Sequence, residues 1–251
     1  MALTPEGRAL TNAYRSQQQT LVRGVQARVV ELWPLLDLRR LDATQDAWVQ
    51  VVTDLVAAGR ALSAQQAEPY LALYRAAEGA TGPAPVLQQQ PAPLDAIATS
   101  IRVTGPIAVK AGISQGLQLG AAGDNALVQV LGAVARHTLD GGRGQIVAGV
   151  TADRQALGWA RVTSGRPCAF CAMLASRGPV YRSQASADFQ PHDHCSCTPE
   201  AIYHREAAWS DQALRYRALY QQAVREGDRG GPNGKYNAFR AALSAAEGYP
   251  A

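Results

Sequence analysis

Lysine is nearly absent from this sequence. Of its 24 basic residues only Lys110 and Lys235 are lysines, and the rest are arginines. Those arginines are spread among Asp and Glu along the chain, for a net charge of only +4. A surface built for a polyanion concentrates its charge in one patch or tail, so the composition argues against a dedicated basic arm. Long apolar runs are missing too. No stretch approaches the roughly 18 uncharged apolar residues that span a bilayer, and Glu6 and Arg8 stand where a signal peptide needs its apolar core. The expectation is a chain folded in a cytoplasm with no membrane association. At 47% hydrophobic and 18% charged residues, it reads as globular rather than disordered.

Cysteine and histidine are scarce, four of each, but they are not scattered. All four cysteines and two of the four histidines fall between Cys168 and Cys197. In a reducing compartment such clustering favours a metal over disulfides.

Around that window the pattern is helical. Thr4-Pro5-Glu6 offers a hydroxyl cap, a first-position proline and a first-turn acid. Val22, Val25, Val29, Leu32 and Leu36 follow at three- and four-residue spacing until Pro34 ends the helix. Asp42 and Gln45 resemble a capping box ahead of a second stripe of Trp48, Val51, Val52, Leu55, Val56 and Leu62, continued by Tyr70, Leu73, Tyr74 and Ala77. Residues 1–79 are thus expected to form an N-terminal helical hairpin or small bundle. The Pro/Gln-rich segment 80–93 cannot hold a helix and reads as a linker. Helical patterns resume from 94, interrupted by Gly105-Pro106, Gly120 and Gly141-Gly142. The Gly141–Gly144 stretch lacks the lysine and Ser/Thr of a phosphate loop, so a helix-ending turn is expected there. His137 has no sequence partner and reads as structural. Ser210 caps a helix ending at Gly227, and a last helix runs from Tyr236 to about Ala246. The fold class expected is mainly α: the N-terminal bundle, the linker, a helical α+β module over 94–204, and C-terminal helices over 205–251.

The chemistry concentrates in Cys168-Ala-Phe-Cys171 and His192-Asp-His194-Cys195-Ser-Cys197. Two residues between cysteines let one turn aim both thiolates at one ion. Tetrahedral zinc takes four ligands, and six candidates are present. Cys168, Cys171, His192 and Cys195 are the favoured set, with Cys197 or His194 as substitutes. Arg177-Gly-Pro-Val-Tyr-Arg182 between the halves reads as a small β-hairpin that the zinc would staple. A thioredoxin-like dithiol would want the CxxC at a helix start after a strand and would not need the downstream cluster. A nucleobase deaminase requires an upstream His-x-Glu or Cys-x-Glu, which is missing. A Cys–His protease could be assembled from these residues, but no orienting residue is recognisable, and no catalytic residue is assigned.

Trp159-Ala-Arg161-Val-Thr163, the CxxC with Leu174, Arg177-Gly-Pro-Val-Tyr181 and the His192–Cys197 cluster together resemble the C-terminal signature of phage head-morphogenesis proteins. These are the Mu F-like minor capsid proteins of tailed phages, especially those of actinobacterial hosts. The motif covers roughly residues 150–204, and Asp193 departs from it where many members carry proline. The resemblance implies a virion component at the capsid interior or portal vertex, present in few copies. Its partners would be the portal protein or major capsid protein, with packaged DNA a near neighbour, and its role head assembly or genome delivery. Relatives are often labelled capsid maturation proteases, so a protease processing scaffold or capsid protein is one alternative. A zinc-containing nucleic-acid-binding protein is another, against which the dispersed arginines argue.

Overall fold

A computed structural model describes residues 2–163, 165, 167–178, 189, 191–206, 209–228 and 230–248. The first helix, α1 (Pro5–Leu32), starts where the cap predicts: the Thr4 hydroxyl accepts from the Gly7 amide at 2.9 Å. It stops just before Pro34, which falls in a short 3-10 turn, Trp33–Leu35. A tight connection leads into α2 (Leu41–Ala77), which runs back along α1. The antiparallel match shows in three contacts: Trp48 Nε1 donates to the Leu32 carbonyl at 3.1 Å, Gln18 meets Ser63, and Tyr14 stacks on Tyr70 with centroids 4.4 Å apart. Asp42 is not the cap of α2. It sits in the first turn, where its carboxylate takes bonds from Gln45 and from Lys110.

Segment 80–93 is without helix or strand. Beyond it come α3 (Leu94–Arg102), a π-helical turn over Val103–Ile107 that absorbs Gly105-Pro106, and α4 (Ala108–Ser114). The next helix, α5 (Leu119–Ala152), is the central strut. It lies beside both α1 and α2, and Trp48, Val52, Val56, Ile97, Ile101, Val130 and Val134 share one core. Helices from both sides of the Pro/Gln segment thus bury their apolar faces together. Val52 and Val56 are fully buried, each worth roughly 1.5–3 kcal/mol of burial, whereas Val51, Leu62 and Leu73 of the expected stripe face outward.

The expected turn at Gly141–Gly144 is a helix interior instead. The reason is steric: a Cβ at Gly141 would strike the Arg60 carbonyl, and one at Gly142 would strike the Tyr14 hydroxyl and Ser63. Glycine here serves close helix packing rather than chain reversal. The Ser63 hydroxyl even donates to Gln18 while it accepts from the Gly142 amide at 2.9 Å.

After α5 the chain forms β1 (Gly158–Val162), α6 (Ala169–Ala175), β2 (Thr198–Ile202), α7 (Asp211–Gly227) and α8 (Gly234–Glu247). β1 and β2 pair antiparallel, Gly158 opposite Ile202 and Val162 opposite Thr198. The hairpin expected at 177–182 falls mostly on residues outside the described ones. α6 packs on the α7–α8 pair through Ala172, Ala175, Tyr216, Phe239 and Leu243. Mainly helical architecture with a small antiparallel sheet is therefore what the chain adopts. Among the described residues no helix is long and apolar enough to cross a membrane.

Candidate metal centre

The sheet explains how distant cysteines meet. β1 ends six residues before Cys168 and β2 begins one residue after Cys197, so their pairing closes the intervening segment into a loop. Cys168 is the N-cap of α6, with extended backbone and its sulfur accepting from the Cys171 amide at 3.3 Å. One helical turn then places Cys171 beside it. On the other arm a turn closed by the Cys195 amide on the His192 carbonyl, at 3.1 Å, folds His192 back over the cysteines. Cys195 and Cys197, each only 3% exposed, enter the core with Trp159, Tyr74 and Ile146.

Five donors converge. Cys168, Cys171 and His192 form one mutually close group, and Cys171, Cys195 and Cys197 form a second, so Cys171 is common to both. The Cys168 sulfur lies 2.6 Å from His192 Nε2. The Cys171 sulfur lies 3.5 Å from that nitrogen and 3.4 Å from the Cys195 sulfur. An ion about 2.3 Å from sulfur and about 2.0 Å from imidazole nitrogen sets tetrahedral edges of roughly 3.8 Å between sulfurs and roughly 3.5 Å between sulfur and nitrogen. The spacings around Cys171 are close to those edges. The donors could hold a metal ion, and soft thiolates with one imidazole are what zinc takes.

Electrostatics point the same way. Hydrogen bonds with Cys171 and then His192 pull the Cys168 thiol down to about 4. The bond to Cys168 pushes the His192 imidazole up to about 9. Cys171, surrounded by three other sulfurs and contacting Cys168 first, is driven strongly upward, while Cys195 is driven down by Cys171 and Cys197. Neighbouring thiols cannot all ionise together, so the protons of this cluster belong to the group. A cation is the one addition that would let every sulfur be thiolate at once.

His194 belongs to neither group. It adopts the left-handed conformation (φ 63°) and carries its imidazole to α5, against Gly132, while its amide donates to the Gly132 carbonyl at 3.3 Å. Asp193, the departure from the Mu F-like pattern, has a partner of its own. Arg136 on α5 donates to it at 2.7 Å and also reaches Ser100 on α3.

Sequence reasoning missed the surrounding arginines. Arg143, 4% exposed on α5, donates to the Cys195 carbonyl at 2.6 Å and the Cys197 carbonyl at 3.0 Å. Arg161, 2% exposed on β1, approaches the Cys171 sulfur at 3.9 Å, and its guanidinium lies 3.8 Å over the Phe189 ring. Only the place of Arg161 inside the apolar run 158–162 could have hinted at this, since a buried arginine needs acceptors; Arg143, set among glycines, gave no such hint. His137 is buried on α5 and outside the cluster, as expected of a structural residue. The CxxC does sit at a helix start after a strand, the setting a dithiol pair would use. What distinguishes it is that Cys171 is shared with His192 and Cys195.

A family model described as VG15 protein matches residues 7–223. The chain belongs to the VG15 protein family. That viral gene-product family fits a phage protein, and the match takes in the bundle, the whole Cys/His segment and most of α7. No curated protein and no solved structure matches the chain.

Proposed function

We propose that this VG15 family protein is a minor head protein of a tailed phage, of the Mu F-like head-morphogenesis type. It binds the portal protein or the capsid interior and acts in head assembly or genome delivery. Its structural zinc is held by Cys168, Cys171, His192 and Cys195, with Cys197 as the reserve donor. The observation that carries this reading is the family match over 7–223, within which lie the signature residues that converge into one cluster. The setting of the donors supports a structural rather than catalytic ion: Cys171, Cys195 and the reserve donor Cys197 are buried in the core, and Arg143 fixes the backbone of the last two, as suits a structural zinc.

Mass spectrometry of purified virions, together with co-purification of the full chain with portal protein, tests the proposal. Peptides of this chain in the virion at a small fraction of the major capsid protein, and a stable portal complex, are expected. A chain absent from virions that binds neither portal nor capsid protein would overturn it.

A further inference from the structure

Between α1 and the entry to α7 lies a cavity of about 460 Å³, within the ~300–1,000 Å³ range of small-molecule sites. α1 contributes Arg8, Asn12 and Arg15 to its wall, a spacing of four and then three residues that puts all three on one helix face. Opposite them is the amino end of α7, a helix of 17 residues capped by Ser210, whose hydroxyl accepts from the Ala213 amide. That cap leaves the earlier first-turn amides of Asp211 and Gln212 directed out of the helix end, where the helix dipole is positive.

Neither cation facing this end, Arg8 or Arg15, makes a direct ion pair among the described residues, although the Glu200 carboxylate in the same wall lies within Coulombic reach of Arg15. Arg8 uses one nitrogen, Nη1, on the carbonyls of Ala2 and Leu3. The Nε of Arg15 is sealed from solvent and has no hydrogen-bond partner. Burial pulls the Arg15 guanidinium below its ordinary value, and the nearby Glu200 charge only partly offsets this. The buried acid in the wall, Glu200, has both oxygens engaged, one by the Ala2 amide at 2.8 Å and the other by the Thr11 hydroxyl at 2.5 Å. Asp211 is exposed at the rim, where water and salt screen it.

We propose that this cavity binds a phosphate group, gripped by Arg8 and Arg15 and seated on the amino end of α7. Arginine offers paired donors to phosphate oxygens, and a helix N-terminus adds amides and a favourable field. The same chemistry serves a free phosphate and a phosphodiester of nucleic acid.

Isothermal titration of the full chain at fixed ionic strength separates these sources, using inorganic phosphate and a short single-stranded oligonucleotide as probes. Arg8→Gln and Arg15→Gln are compared with Arg23→Gln, which lies on α1 beyond the cavity. Saturable phosphate binding, weakened about tenfold or more by either cavity variant and unchanged in Arg23→Gln, is expected. An oligonucleotide that displaces phosphate and loses the same factor assigns the site to nucleic acid. Phosphate binding without such competition assigns it to a free phosphate. Two results overturn the proposal: neither probe saturates, or Arg23→Gln weakens binding as much as the cavity variants do. Unliganded melting curves verify folding, and Arg8→Gln carries the test if Arg15→Gln does not fold.

Discussion

Cys171→Ser is the most direct perturbation of the metal centre, because Cys171 is the donor shared by both groups of ligands. Serine nearly preserves the volume, so the packing loss is small beside the loss of a ligand. With free zinc 1,000-fold above its dissociation constant, binding adds about 4 kcal/mol to the folded state. For chains of 150–250 residues each kcal/mol moves the melting temperature by about 2–4 °C, so abolishing binding lowers it by roughly 8–16 °C. The cluster shares its core with Tyr14, Tyr70 and Trp159, so its loss weakens the packing between the bundle's end and the C-terminal part instead of fraying one loop. Elemental mass spectrometry should find one zinc per wild-type chain and none in Cys171→Ser. Differential scanning calorimetry should give the same downward shift when a strong chelator is added to wild type, and no further shift when it is added to the variant. A wild-type protein that purifies without metal, or a chelator that leaves its melting temperature unchanged, would refute the reasoning.

Arg143→Met should weaken metal affinity about 10–100-fold, the usual effect of losing an outer-shell partner, because the carbonyls of Cys195 and Cys197 lose their common donor; competition with a chromophoric chelator reads this, and unchanged affinity counts against the role. Gly142→Ala should cost about 1–3 kcal/mol by overpacking against Tyr14 and Ser63, whereas Gly144→Ala, with open space around it, should stabilise by about 0.5–1 kcal/mol; equal melting temperatures for the two variants would contradict the packing described for α5. Burial, then the charges of Arg136 and Arg60, holds the His137 imidazole down at about 4, below the ordinary ~6.5. The stability from keeping it neutral is fully present above about 6.5 and is lost as pH falls toward 4. Wild type should therefore lose more melting temperature than His137→Gln between pH 7 and pH 4.5, and parallel curves would exclude His137 as the cause.

Much of the fold was legible because local chemistry and tertiary packing agree. Thr4 and Ser210 cap the helices they announce, Pro34 ends α1, and the valine stripes of α1 and α2 face a shared core. The convergence of Cys168, Cys171, His192, Cys195 and Cys197 was legible for a different reason: thiols and imidazoles at such spacing have few other uses. The disagreements fall where tertiary contact overrides the local signal. Glycines at 141 and 142 look like a break until α2 is placed against them. Gly105-Pro106 looks like an end until a π-helical turn absorbs it. His194 passes for a ligand on spacing alone, and only its left-handed backbone turns it toward Gly132. Arg143 carried no signal because its acceptors are backbone carbonyls more than fifty residues away.

The placement of the cluster argues for what an ion would do in this chain. The segment 193–197 is pinned to α5 at three heights: Gly132 under His194, Arg136 on Asp193, and Arg143 on Cys195 and Cys197. The CxxC arm is fixed from the other side by α6, which packs on α7 and α8. Cys171 is thus the meeting point of a helical bundle and a C-terminal helical pair that share few direct contacts. An ion bridging the two arms ties the orientation of α7–α8 to the bundle, and with it the cavity between α1 and the start of α7. Metal loss should therefore loosen that cavity before it unfolds α1 and α2. Hydrogen exchange resolves the order: on chelation, amides at the start of α7 should gain exchange first, while those around Val52 and Val56 stay protected. Simultaneous loss of protection in both regions would show that the ion stabilises the fold as one block and does not set the docking of its C-terminal helices.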